Sequence, residues 1–180
     1  MIILPEFELI YNADKAIYIV VSKHDAAALC PECGQVLSYR DSRLRVCKTH
    51  GGKKSYLLIR RLKCCHCHRL HNELPDILAP YKHYETEVIE DVVDGVIDAD
   101  DIETEAYPCE TTMRRWREWV ERNTYRIDGM LKSTGYRFLG FSEQLLKSSV
   151  SLLNELRRDG AGWLGIILRI IYNSGGFLPV

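Results

Sequence analysis

Between Cys64 and His68 the chain reads "CCHCH", three thiols and two imidazoles in five consecutive positions. Thiolate and imidazole are the ligands that soft and borderline metals prefer, so a cluster this dense points to metal binding. Zinc ribbons hold one tetrahedral ion between two C-x-x-C turns. Each turn aims both sulfurs at the metal while backbone N–H groups stabilise them. "CPECG" supplies one turn through Cys30 and Cys33, with Pro31 and Gly34 where a tight turn favours them. In the second cluster the same spacing selects Cys64 and Cys67. Cys65 with His68 is the competing register and would make a Cys3His site.

Four thiolates leave no coordination position open, whereas catalytic zinc keeps one for water. The expected cofactor is therefore a structural Zn2+ that folds a region with too little core of its own. An iron–sulfur cluster would use the same thiolates, but nothing else in the chain suggests redox work. Cys47 and His50 have C-x-x-H spacing without an evident second pair, and Cys65 and Cys109 read as ordinary thiols. The cysteine count is odd, at seven, and Glu6, Glu8 and Asp14 stand where a secretion signal would be basic and then apolar. Reduced thiols and a cytoplasmic location are expected.

The elements that must position these ligands follow from patterning. Thirty residues separate the two C-x-x-C turns. Two strand-like runs fill them, "QVLSYRDSRLRV" (35–46) and "KSYLLIRRLK" (54–63), with Gly51-Gly52 suited to a hairpin turn between. A hairpin returns the chain to its starting end, which brings the cysteine pairs together. "KAIYIVVS" (15–22) reads as a further short strand. Beyond Pro75 and Pro80 the pattern turns helical, over 84–96, 111–123, 142–159 and the apolar "GWLGIILRIIYN". In 111–123, Met113, Trp116, Trp119 and Val120 share one face, and Thr111 or Thr112 would be the N-cap. The last segment is far short of the ~20 residues that span a bilayer and carries Arg169, so no membrane association is expected. The fold class predicted is α+β: a zinc-ribbon domain over 1–80 with an N-terminal strand and a basic hairpin, then an all-α, helix-turn-helix-like domain over 81–180.

A net charge of −1 excludes a uniformly basic nucleic-acid binder, but the average conceals segregation. From Arg40 to Asn72 ten Lys/Arg face one acid. From Glu85 to Glu110 there are eleven acids and no Lys or Arg, and from Thr111 to Arg137 seven bases oppose three acids. On the hairpin, Arg40, Arg43, Arg45, Lys53, Lys54, Arg60, Arg61 and Lys63 are candidates for phosphate contact. Segments 84–96 and 111–123 outline a helix-turn-helix pair with a long acidic connection from Ile97 to Glu110. Its second helix would offer Thr111 and Thr112 to phosphates and Arg114, Arg115 and Arg117 to guanine edges. Trp116 and Trp119 fall on the apolar face and read as core anchors.

The string "CPECG…RRLKCCHCHRLHNELPDILAPYKHY" resembles the zinc-binding N-terminal segment of bacterial insertion-sequence transposases. It looks closer still to a transposase-associated family of short, uncharacterised bacterial proteins. In these a "CP-x-CG" turn, a basic hairpin, "RR-L-x-C-x-x-C" and "LP-x-x-L-x-P-Y-K-x-Y" precede a helical part. "TTMRRWREW" and "GWLGIILRIIYNS" are similar to that family's later elements. The resemblance implies DNA recognition near mobile elements, with Cys30, Cys33, Cys64 and Cys67 as ligands. His68 departs from it, standing where the family has glycine after the second C-x-x-C.

The expectation is a non-catalytic, nucleoid-associated protein that binds double-stranded DNA. It would be an accessory or targeting factor of a mobile element, acting with a transposase or ATPase of the same element, or a small regulator. A protein–protein adaptor and an RNA-binding protein are the alternatives. Metal-assisted hydrolysis by the acids of 85–110 is a third, disfavoured because no histidine is matched to them.

Overall fold

The computed structural model describes residues 1–24, 27–100 and 108–180. Among the described residues the architecture is α+β, a curled six-stranded sheet followed by five helices. The strands are β1 (Ile2–Leu4), β2 (Phe7–Asn12), β3 (Ile17–Ser22), β4 (Leu37–Lys48), β5 (Lys54–Cys64) and β6 (Leu70–Pro75). The helices are α1 (Thr86–Asp94), α2 (Glu110–Phe138), α3 (Glu143–Lys147), α4 (Leu152–Arg158) and α5 (Trp163–Asn173).

The expected hairpin is β4 and β5, antiparallel from Leu37↔Cys64 to Lys48↔Lys54. His50–Gly52 closes it, with Gly51 and Gly52 at φ of 73° and 70°, a conformation that glycine adopts without a Cβ penalty. The other edge of β5 is shared. Parallel β3 takes Leu57 and Leu58, and antiparallel β6 takes Arg61 to Lys63. β2 extends β3 and β1 extends β6. A register shift between Tyr39 and Asp41 adds twist where the sheet divides.

Side chains alternate along a strand, and β5 uses both faces in turn. Leu57 and Ile59 face the main core with Ile3, Val20, Leu74 and the helices. Leu62 and Cys64 face the opposite way, into a small second cluster with Cys30 and Leu37. The main core crosses residue 80, joining sheet residues to Val88 of α1, Trp116 of α2 and Leu164 of α5. The expected division at 80 is therefore not a division between two cores.

Several expectations need correction. β1, β2 and β6 lack the alternation of a half-buried strand, and none was expected. The helix expected over 111–123 runs to Phe138, because Ile127, Leu131 and Gly135 continue its buried face. Its N-cap is Cys109, not a threonine. The helix expected over 142–159 is two short ones. "SSVS" interrupts it, and Ser151 accepts the Asn154 N–H to start α4. Part of the acidic 97–110 connection, residues 101–107, lies outside the described residues. Among the described residues no helix is long and apolar enough to cross a membrane.

Candidate metal centre

Two turns meet at the open end of the β4–β5 hairpin. The first is Cys30–Gly34, where Gly34 N–H donates to Cys30 O at 2.8 Å and Cys30 N–H to Gln35 O at 2.8 Å. The second follows β5, where Cys64 N–H donates to Arg69 O at 3.0 Å. Each turn closes through a left-handed residue directly after its second cysteine. Gly34 has φ 73° and His68 φ 59°. Histidine therefore takes the backbone conformation for which glycine is favoured, at a modest steric cost.

The four sulfurs of Cys30, Cys33, Cys64 and Cys67 lie within 4.8 Å of one another. Cys30 Sγ is 3.7 Å from Cys67 Sγ, and Cys33 Sγ is 3.5 Å from Cys64 Sγ. Tetrahedral Zn–S bonds of about 2.3 Å place sulfurs about 3.8 Å apart. The spacing fits a four-coordinate ion and is far too long for a disulfide. Among the described residues no other group of three or more His, Cys, Asp or Glu side chains converges in this way. Cys65 and His68, the competing register, are both exposed, and the Cys65 thiol turns away to Val36 O at 3.3 Å.

The electrostatics suit a cation. Burial opposes a charge on Cys64, but the Cys67 and His66 N–H groups and the neighbouring thiols outweigh it and bring its pKa down to about 6. The Arg69 N–H favours a Cys67 thiolate, yet burial and the three other sulfurs push its pKa up to about 12. One thiol thus ionises readily and its charge holds the next back. A metal ion reverses that repulsion and lets all four ionise.

His71 was not identified from the sequence as part of this centre. It is buried on β6 opposite Leu62, and its Nε2 lies 3.4 Å from Cys30 Sγ. An imidazole N–H so placed donates to a ligand sulfur and orients it. Its only sequence signal is proximity to the cluster; the β5–β6 pairing puts it there. Across the turns, Arg69 pairs with Glu32 at 2.7 Å. Cys47 lies apart in the main core, 3.5 Å from Glu85 Oε1, where burial and that carboxylate raise its pKa to about 12. His50 faces Asp91 of α1 at 3.4 Å.

Residues 30–116 are similar to a family described as a domain of unknown function, DUF6431. No curated protein and no solved structure matches the chain. The matched span opens on Cys30, takes in all four sulfurs, the hairpin and residues 80–85, and closes inside α2 at Trp116.

Within that span the candidate cations divide. Arg45 is 9% exposed and donates through Nη2 to Lys82 O at 2.8 Å. Arg60 makes two bonds to the buried Glu73, at 2.5 and 3.1 Å. Arg61 grips Asp41 with two nitrogens, and Arg40 lies 3.7 Å from the same carboxylate. Just beyond the span, Arg117 donates to Val92 O and Ile97 O and so closes the C-terminus of α1. These guanidiniums are bound within the fold. Arg43, Lys53, Lys54 and Lys63 are exposed on the hairpin with no carboxylate partner among the described residues. At the start of α2, Thr111, Arg114 and Arg115 are exposed and Thr112 is half-buried.

Proposed function

We propose that the protein is a non-catalytic, zinc-binding nucleic-acid-binding protein that engages duplex DNA. In this reading Cys30, Cys33, Cys64 and Cys67 hold a structural Zn2+ as in a zinc ribbon, and the closed shell leaves no position for catalysis. The ion braces the end of a hairpin whose cations Arg43, Lys53, Lys54 and Lys63 contact phosphates. α1 and α2 act as a helix-turn-helix-like pair, with Thr111, Arg114 and Arg115 the exposed residues that meet the duplex. The observation that carries the reading is the four-sulfur cluster at the root of a hairpin whose exposed cations have no carboxylate partner among the described residues. Its sequence resemblance supports a role as an accessory or targeting factor of a mobile element, or as a small regulator.

Salt titration on a random duplex tests it. A protein making about four phosphate contacts should show log affinity falling with log salt at a slope near −4. Replacing Lys54 and Lys63 by Ala should flatten that slope by about two. A protein–protein adaptor would show no saturable duplex binding at low salt, and that result would end the duplex reading.

A further inference from the structure

A cleft of about 590 Å3 lies between the end of β4, residues 81–84 and the first turns of α2. Lys48, Lys82, Arg115 and Arg122 line it, with Glu118 as an acidic side chain and Val180 also against it. Glu118 is itself 3.7 Å from Arg114. None of the four lining cations has an ion-pair partner among the described residues. Two of them meet aromatic rings instead, and Arg122 Nε donates to Glu118 O at 3.2 Å. Lys82 Nζ lies 4.2 Å from the centroid of Trp119, and Lys48 Nζ lies 4.9 Å from that of Tyr84.

The loop is held firmly. Lys48 N–H donates to His83 O at 2.8 Å, Glu85 N–H to Lys48 O at 3.0 Å, and Arg45 clamps Lys82 O. Within it, Ala79 to Lys82 form a turn closed by Lys82 N–H to Ala79 O at 3.2 Å, with Pro80 second and Tyr81 third. Tyr81 has φ 63°, the position at which such turns favour glycine. Tyr81 is 65% exposed where it lines the cleft, so burial does not repay the strain. A left-handed tyrosine with an exposed side chain thus stands beside four cations that lack ion-pair partners among the described residues.

We propose that this cleft binds a nucleotide of an unpaired nucleic-acid strand. Arg115, Arg122 and Lys82 hold its phosphate and Tyr81 stacks on its base. The proposal rests on the nucleic-acid reading above and extends it from duplex to single strand. The volume is that of a small-ligand cleft, and cations interleaved with rings are the pattern that single strands use. Duplex DNA offers no free base face to Tyr81, and an acidic peptide would satisfy the cations but leave the ring idle.

Fluorescence anisotropy on the intact protein tests it, with labelled oligothymidine and oligouridine of about ten nucleotides, a duplex, and a polyglutamate peptide of matching charge. Replacing Arg115 and Arg122 together by Ala should weaken strand binding about tenfold or more. Tyr81→Gly should weaken it several-fold without lowering the melting temperature. Binding of either strand through the cleft upholds the proposal, and the tighter one names the sugar. An unchanged affinity for Tyr81→Gly, or polyglutamate binding as tightly as the strands, overturns it. Duplex binding without strand binding overturns the cleft alone. Strand binding through the cleft without duplex binding overturns the duplex reading and keeps the cleft.

Discussion

The two ends of β5 are held by different means. At Leu57 and Ile59 the strand lies under a continuous apolar core drawn from the sheet and from α1, α2, α4 and α5. At Leu62 and Cys64, among the described residues, Cys30 and Leu37 complete the buried cluster, with Ile2, Ala28, Cys33 and Cys67 partly buried around it. Area burial can hold the first end. The second has fewer apolar groups to offset the entropy of ordering two turns, and its four sulfurs lie where a metal ion could supply the difference. Between Ile59 and Cys64 one strand thus passes from the main apolar core to a small cluster built around four sulfurs.

Removing the ligand field should separate the ends most sharply. Cys64→Ser, or a strong chelator, should abolish stoichiometric metal binding and open residues 28–39 and 61–72 to hydrogen exchange. The near-ultraviolet signal of the main-core tryptophans should persist. Cys65→Ser should keep the metal. Metal loss in Cys65→Ser with retention in Cys64→Ser would reverse the ligand assignment.

Ile59→Ala probes the other end. It should cost about 2–5 kcal/mol, read as a lower denaturation midpoint of the tryptophan signal, with metal content unchanged in native buffer. A smaller effect belongs to the pair that spans the sheet between the ends. Glu73 is buried while Arg60 is half-exposed, so Arg60→Ala strands a carboxylate and Glu73→Gln leaves a guanidinium that water can reach. Arg60→Ala should cost about 1–3 kcal/mol, and Glu73→Gln less. Equal melting shifts would show that Glu73 is hydrated. The smallest effect expected is a gain. Tyr81→Gly relieves a left-handed tyrosine and should stabilise by about 1 kcal/mol, measurable as a raised melting temperature. A loss would mean the ring contributes packing that its exposure does not suggest.

The sequence alone determined what depends on short-range spacing. Two C-x-x-C turns, a hairpin of matched length between them and a diglycine at its tip lead to one arrangement, because a hairpin must bring its ends together. The helical second half was legible for the same reason, through apolar residues at helical period. The length of α2 and the break between α3 and α4 were misread at sequence level because capping and continuation are decided by what the helix face meets.

Tertiary structure alone decided the fate of the charges. Arg45, Arg60, Arg61 and Arg117 look like surface cations in a string. Their partners are Lys82 O, Glu73, Asp41 and the end of α1, most of them distant in sequence. The same is true of His71 beside Cys30, and of the cleft that gathers Lys48, Tyr81 and Arg115 from three separate segments. Spacing along the chain dictates local turns and periodic faces, whereas pairing a buried charge depends on contacts that only the closed fold creates.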